Sequence, residues 1–339
     1  MQHRILFGVF FIMLALAPGS VSSAFAQTRR TTPKPAVSRV TAALPESDAI
    51  AIVKVKQLLD DAMPKLLAGS PTRLAEVNAQ IEQFKTRTGI DPRSFDEMAF
   101  GLRYTYPAEG VTKLNTVAIA SGTFSAGAMV AAGRIAASGK FQEQQYHGKS
   151  IYIFSLDQQV KLFGVLDLKI TELAVSPLDA NTLALGDLKS VRDTIDAKRG
   201  RGRNNADLIA LASRDPNAIV GFGGNFSPEL RKNLSITNDT IAKDLTAVRQ
   251  VYGSIGVSEK NLDMLIAART VDEFSARNLG NTVEALKQFG ALFINRLPAA
   301  KAALARSALN NLKITNQDNE LQIRTAVAQT EIAPLLGGY

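Results

Sequence analysis

LNTVAIASGTF (residues 114–124) can be laid over NLDMLIAARTV (residues 261–271), with Ile119 on Ile266 and Ala120 on Ala267. Both stretches carry the apolar and β-branched content of strands. Their surroundings match in order. AIAIVKV (49–55) and MAFGLRY (98–104) precede the first, and NAIVGFGGNFS (217–227) and VYGSIGVSE (251–259) precede the second. After the first come a small-residue helix, SAGAMVAAGRIAAS (125–138), and two hairpins, FQEQQYHGKSIYIFS (141–155) and ITELAVSPLDANTLALGD (170–187). After the second come a long helix, DEFSARNLGNTVEALKQFGALFIN (272–295), and the hairpin LNNLKITNQDNELQIRTAV (309–327). Laying YHGKSIYIF over QDNELQIRTAV puts Ile151 on Leu321 and Ile153 on Ile323. The repeated order predicts an α+β fold of two similar tandem units, residues 44–200 and 201–339. Short turns between neighbouring strands predict that each unit is a mainly antiparallel sheet with helices packed on one face.

Local signals fill in this plan. Leu74, Val77, Ile81 and Phe84 fall three or four apart and predict one buried helical stripe, closed by Gly89 as C-terminal cap. His147-Gly148 sits between alternating strand residues, where a tight hairpin needs positive φ. In VGFGGNFSPEL (220–230) the glycines predict a strand crossed closely by another element, with Ser227 as N-cap and Pro228 at the first helical position.

LPESDAIAIVKV (44–55), TGIDPRSFDEMAFGL (88–102), HGKSIYIF (147–154) and DANTLALGDLKSVRDTIDAKRG (179–200) follow one another in a recognisable sequence. In this the chain resembles a group of exported bacterial proteins of unknown function. They open with Leu-Pro and a strand, and carry Thr-Gly-Ile-Asp and a Leu-x-x-Gly-Asp turn into a helix. The resemblance covers most of residues 44–200. It implies a cell-envelope location and a two-unit fold. It implies no activity and supplies no catalytic residue.

The chain begins MQHRILFGVFFIMLALAPGSVSSAFAQ. Arg4, the apolar run Ile5 to Ala17 and Ala24-Phe25-Ala26 are the three parts of a signal peptide, so residues 1–26 are expected to be removed between Ala26 and Gln27. The protein is then expected in the periplasm or outside the cell. Residues 27–43, with TRRTTPKPAVSRVTA at 28–42, lack an apolar period and are expected to form a flexible basic leader. The chain has no Cys, which excludes disulfides, thiol nucleophiles and zinc–thiolate sites. Its formal net charge of +8 fits, outside the cytosol, anionic lipid or cell-wall polymer better than nucleic acid, and a moderately basic surface with no specific target better than either.

Catalytic sets fail one by one. The chain has two His, and His3 lies in the signal segment. That leaves His147, which the turn claims, and a Ser-His-Asp triad has no other His to use. YGSIG is one residue short of a nucleophile elbow. Gly221, Gly223 and Gly224 do not complete a phosphate loop, since Phe226 takes the last place. Asp60-Asp61 and Asp96-Glu97 are adjacent and so point apart, and Asp96 is expected to accept backbone hydrogen bonds in a turn. Tyr104 and Tyr106 are expected to pack rather than to form an exposed platform. No catalytic, metal or cofactor site is assigned.

DAKRGRGRNNADL (196–208) lies between the units and has no interleaved aromatics. It is expected to be a connector, with Gly200 capping the helix LKSVRDTIDAK and Lys198 and Arg199 at that helix's negative end. Lys198, Arg199, Arg201 and Arg203 are the candidates for contact with an anionic surface. The expectation for function is a non-enzymatic binding, scaffold or chaperone-like module of the envelope, with an apolar ligand or an envelope partner. The alternative is an exported hydrolase using a carboxylate pair.

Overall fold

AIAIV forms β1 (Ala49–Val53), the sixth of twelve strands in one sheet. The computed structural model describes residues 38–108, 111–162, 166–202, 206–232, 239–294 and 299–332. The signal segment, most of the leader and Arg203 lie outside the described residues. From β1 the sheet continues through β2 (Phe95–Ala108), β3 (Val111–Gly122), β7 (Thr182–Gly186), β6 (Leu166–Asp179), β5 (Lys149–Leu162) and the edge strand β4 (Phe141–Tyr146). On the other side of β1 lie β8 (Val220–Asn225), β9 (Val248–Val257), β10 (Asn261–Thr270), β12 (Glu320–Ala328) and the edge strand β11 (Lys313–Gln317). Neighbouring strands pair antiparallel throughout. The fold is α+β.

The two sheets expected from the sequence are one. β1 and β8 pair in register from Ala49↔Gly224 to Val53↔Val220, so the edge that each half would expose is satisfied by the other. β3 and β10 hold corresponding places, each third from this junction. The hairpins do not correspond as aligned. β12 with β11 takes beside β10 the place that β7 with β6 takes beside β3, whereas β4 with β5 lies at the far edge. Ile119 is fully buried and Ile266 is 40% exposed, so the two aligned isoleucines differ in environment as well.

Helices cover both faces of the sheet, which corrects the expectation of one. On the first face, α1 (Arg39–Ala42), α5 (Leu188–Lys198) and α6 (Ala206–Ala212) bring Val40, Val191, Ile195, Leu208 and Leu211 onto Ile50, Ile52, Ile119 and Ile151. On the second face, α4 (Ala126–Ala136) packs Ala126 and Val130 on Phe154, Val175 and Leu183. There too, the helical stretch α2 (55–66), with a π turn at Leu58–Ala62, seats Leu58 and Ala62 against Val220 and Ile255. The long helix α9 (Glu273–Phe293) places Leu279 and Val283 on Leu321 and Ile323, and α10 (Ala299–Asn310) places Leu304 on Val327. The remaining α-helices among the described residues are α3 (Pro71–Thr88), α7 (Pro228–Lys232), α8 (Asp239–Leu245) and α11 (Gln329–Ile332). Strands such as AIAIV and TLALG are apolar at successive positions, so both of their faces need a cover.

Two further expectations are corrected. Part of the expected leader is folded: Ser38 Oγ accepts from the Thr41 backbone N–H and caps α1, and Val40, Ala43 and Leu44 are buried. The stripe of α3 is half-buried only, with Leu74 and Val77 reaching Met63 and Leu67, because α3 touches the α2 region at one end instead of lying on the sheet. The turn residues behave as their chemistry requires. His147 and Gly148 have φ of 48° and 78° in a two-residue hairpin turn, and Gly89 and Gly200 have φ of 70° and 90° after their helices. The Asp91 carboxylate, rather than that of Asp96, accepts the turn hydrogen bond, from the Arg93 N–H at 2.9 Å.

The close crossing expected at VGFGG is that of α6. A Cβ on Gly221 would stand 1.8 Å from the Ala212 carbonyl oxygen, and one on Gly223 would stand 3.0 Å from Leu211 Cβ. Gly221→Ala is therefore expected to lower unfolding stability by about 3 kcal/mol through overpacking, whereas Gly127→Ala, with open space around it, stays within about 1 kcal/mol of the parent. Urea unfolding of both variants checks the difference. The connector is held by backbone: the Arg201 N–H donates to the Asp196 carbonyl and the Gly202 carbonyl accepts from the Glu46 N–H. Replacing Arg199, Arg201 and Arg203 together with Ser is expected to move stability by no more than about 0.5 kcal/mol, and a larger drop in the same assay would place these side chains in the fold.

Candidate functional site

The β4–β5 turn and the C-terminal end of α5 meet on the first face of the sheet. Asp187 starts α5 as its N-cap, accepting from the Ser190 N–H, and Val191 and Ile195 anchor it on the sheet. The helix thus delivers Lys198 and Arg199 to a fixed place. The left-handed His147-Gly148 turn delivers His147 and Lys149 to the same place. These four side chains, with Leu178 and Ile195 beneath them, line a cavity of about 150 Å³.

The rim is positively charged and internally tied. Lys198 forms an ion pair with Asp179. Burial raises the Asp179 carboxyl, but the hydrogen bond from Lys198 and further contacts outweigh it and hold the group below its ordinary range. His147 Nε2 lies 3.5 Å from Asp196 Oδ1, and the Tyr146 hydroxyl donates to Asp196 Oδ2 at 2.9 Å, which raises the Tyr146 pKa. The Arg192 guanidinium lies over the Tyr146 ring and donates to Gln144, bracing the hairpin against α5. Lys149, Lys198 and Arg199 outnumber the two carboxylates, Asp179 and Asp196. Among the described residues Lys149 and Arg199 have no ion pair. Such a rim over an apolar floor suits an anion with a small apolar part.

Of the residues expected to meet an anionic surface, Lys198 and Arg199 come together here. Arg201 is exposed but does not line the cavity. His147 and Lys149 are the residues that sequence reasoning missed in this role. The signal was their position at a hairpin tip, but no local pattern places that tip beside α5.

Two pairs of acids that lie close together are each tied to cations of their own. Glu46 and Asp193 both line a second cavity, of about 10 Å³, which is space for one water. Each has its own cation, Arg103 at 3.5 Å and Lys189 at 2.6 Å. Asp60 and Asp61 also turn to different partners, Arg93 and Lys65. Tyr104 and Tyr106 are half-buried along β2 rather than presented as a platform.

A second polar cluster, also missed, centres on Glu320 on the first face of the other half. Its side chain is 12% exposed. Arg269 Nε donates to it at 2.6 Å, Arg214 to both oxygens at 3.0 Å, and the Tyr252 hydroxyl at 2.8 Å. Both guanidiniums also stand by the Tyr252 ring, at 4.9 and 5.7 Å. Burial raises the Glu320 carboxyl, but these hydrogen bonds outweigh it and hold the pKa at about 2. Burial, then the bond to Glu320, pushes Tyr252 up to about 12.

Glu320→Gln is expected to cost about 2 kcal/mol of stability at neutral pH, because it removes charge-assisted hydrogen bonds. The depressed pKa makes this contribution full above the ordinary Glu value of about 4.3. It disappears as pH falls through about 2. Urea unfolding of parent and variant is expected to show the gap closing between about pH 5 and pH 2.

No family model and no curated protein matches the chain. Among solved structures, crystal form I of TP0453 aligns with a TM-score of 0.45 and 9% identity, over 89% of this chain and 98% of that one. Crystal forms III and IV align at 0.44 with 9% and 10% identity, covering 89% and 90% of this chain and 99% and 98% of theirs. The chain is similar to TP0453 over most of both lengths, at low identity.

Proposed function

We propose that the protein is a non-enzymatic binding module of the cell envelope that contacts an anionic lipid surface through the basic rim at the end of α5. The observation that carries this reading is the convergence of Lys149, Lys198, Arg199 and His147 on one cavity floored by Leu178 and Ile195. A headgroup phosphate satisfies the cations, and the apolar floor accepts the first carbons beneath it. The excess of basic residues over the whole chain favours approach to such a surface. Export with cleavage between Ala26 and Gln27 belongs to the same reading, and intact-mass measurement of the protein recovered from its host tests it. No helix among the described residues is long and apolar enough to cross a membrane; the contact proposed is a peripheral one.

Co-sedimentation with vesicles tests the contact. Binding to phosphatidylglycerol vesicles is expected to exceed binding to phosphatidylcholine vesicles about tenfold at low salt and to weaken as salt is raised. Lys149→Ser combined with Arg199→Ser is expected to remove most of the difference. Equal binding to both vesicle types, or no effect of the double variant, refutes the reading.

A further inference from the structure

Asp196 lies in the last turn of α5, and its two carboxylate oxygens are in different states. Oδ2 accepts from the Tyr146 hydroxyl at 2.9 Å. Oδ1 is buried and accepts no hydrogen bond among the described residues. A buried carboxylate oxygen without a donor is costly. His147 Nε2 stands 3.5 Å from it, beyond the usual length of a hydrogen bond. The imidazole is held at this place. His147 has φ of 48° in the tight turn, and its ring meets the Tyr146 ring edge-on with centroids 4.4 Å apart. Tyr146 thus fixes both the acid and the ring that faces it. With 40% of its side chain exposed, His147 still exchanges protons with water.

The charged groups around this pair come from the helix and from the neighbouring strands. Lys149 stands on β5, and Lys198 and Arg199 stand at the end of α5. Lys198 is tied to Asp179 of β6. Further back on α5, Asp193 is held by Lys189 at 2.6 Å, and the Arg192 guanidinium lies over the Tyr146 ring. Imidazole is the side chain whose ordinary charge change falls between about pH 8 and pH 5. Above this range the rim sets Lys149, Lys198 and Arg199 against Asp179 and Asp196, an excess of one positive charge. A proton on His147 doubles that excess and gives Asp196 Oδ1 its donor. A phosphodiester keeps its negative charge throughout the range.

We infer that His147 makes the rim at the end of α5 a pH-responsive contact, in which the protonated imidazole pairs with Asp196 Oδ1, cancels the charge of that carboxylate and strengthens the hold on an anionic headgroup as pH falls. The inference rests on the rim being a lipid contact and adds to it the group that regulates it. Proton and headgroup favour each other: a phosphate beside the ring stabilises the imidazolium, and the imidazolium attracts the phosphate. The contact is therefore weakest above the imidazole range and strongest below it. One added charge beside an anionic surface corresponds to about a fivefold gain in binding. Burial also pushes the Glu97 and Asp263 carboxyls up, but neither group lines this cavity.

Co-sedimentation of the full mature chain with phosphatidylglycerol vesicles at about pH 7.5 and pH 5.5, at one fixed low salt concentration, tests the inference. The parent is expected to bind about fivefold more tightly at the lower pH. Asn accepts the left-handed backbone of the turn, so His147→Asn keeps the hairpin and is expected to bind equally at both pH values, at the parent's level for pH 7.5. This variant separates the imidazole from every other group of the chain that titrates. Asp196→Asn removes one carboxylate of the rim and is expected to bind at pH 7.5 about fivefold more tightly than the parent. Parent binding that is lost in the Lys149→Ser, Arg199→Ser variant but is the same at both pH values overturns this inference and leaves the lipid contact standing. A pH dependence that persists in His147→Asn, or Asp196→Asn binding no better than the parent at pH 7.5, also overturns it. Absence of phosphatidylglycerol-dependent binding at both pH values overturns the inference and the contact together.

Discussion

The pairing of β1 with β8 is the constraint on which the rest of the molecule depends. Ile50 and Ile52 on β1 stand between Gly101 and Ala99 on one neighbour and Gly223 and Gly221 on the other. Large residues on the central strand flanked by small ones leave grooves into which α6 descends. The depth of that approach is fixed by Gly221, where even a methyl group would meet the Ala212 carbonyl. The connector leads from α5 into α6. Its backbone hydrogen bonds with Asp196 and Glu46 tie the end of one half to the segment just before β1. A break at β1–β8 would expose two strand edges at the centre of the sheet, where both faces are apolar.

Much of this was legible locally. AIAIV, TVAIASG and TLALG read as strands without alternation, and the structure covers both faces of each. The hairpin turns at His147-Gly148 and Asp318-Asn319 also follow from local chemistry, as the left-handed φ of His147 and Asp318 attests. What could not be read was pairing. Nothing within residues 44–200 or 201–339 says that the first strand of one half seeks the first strand of the other. The apparent match of residues 146–154 with 317–327 reflects a shared hairpin grammar, a two-residue polar turn between alternating residues. That grammar is the same wherever in a sheet the hairpin falls.

Sites were legible in proportion to how local they are. Lys198 and Arg199 stood out because basic residues at a helix C-terminus have a stated reason to be there. Their partners His147 and Lys149 are brought from about fifty positions away by the packing of a hairpin on that helix. The Glu320 cluster is less local still, with Arg214 separated from Glu320 by 106 positions and Tyr252 by 68. Within ELQIRTAVA the polar residues alternate with apolar ones, which marks one polar face on β12. That this face carries a carboxylate with a strongly depressed pKa depends on a cross-strand arginine, and on another from the turn after α6.

The two halves of the sheet solve the same covering problem differently. Around β3, helices α4 and α5 bury both faces. Around β10, two helices cover one face, and the other must be stable against water by itself. Glu320, Tyr252 and the two arginines achieve this by exchanging water for charge-assisted bonds that outweigh the desolvation of the carboxylate.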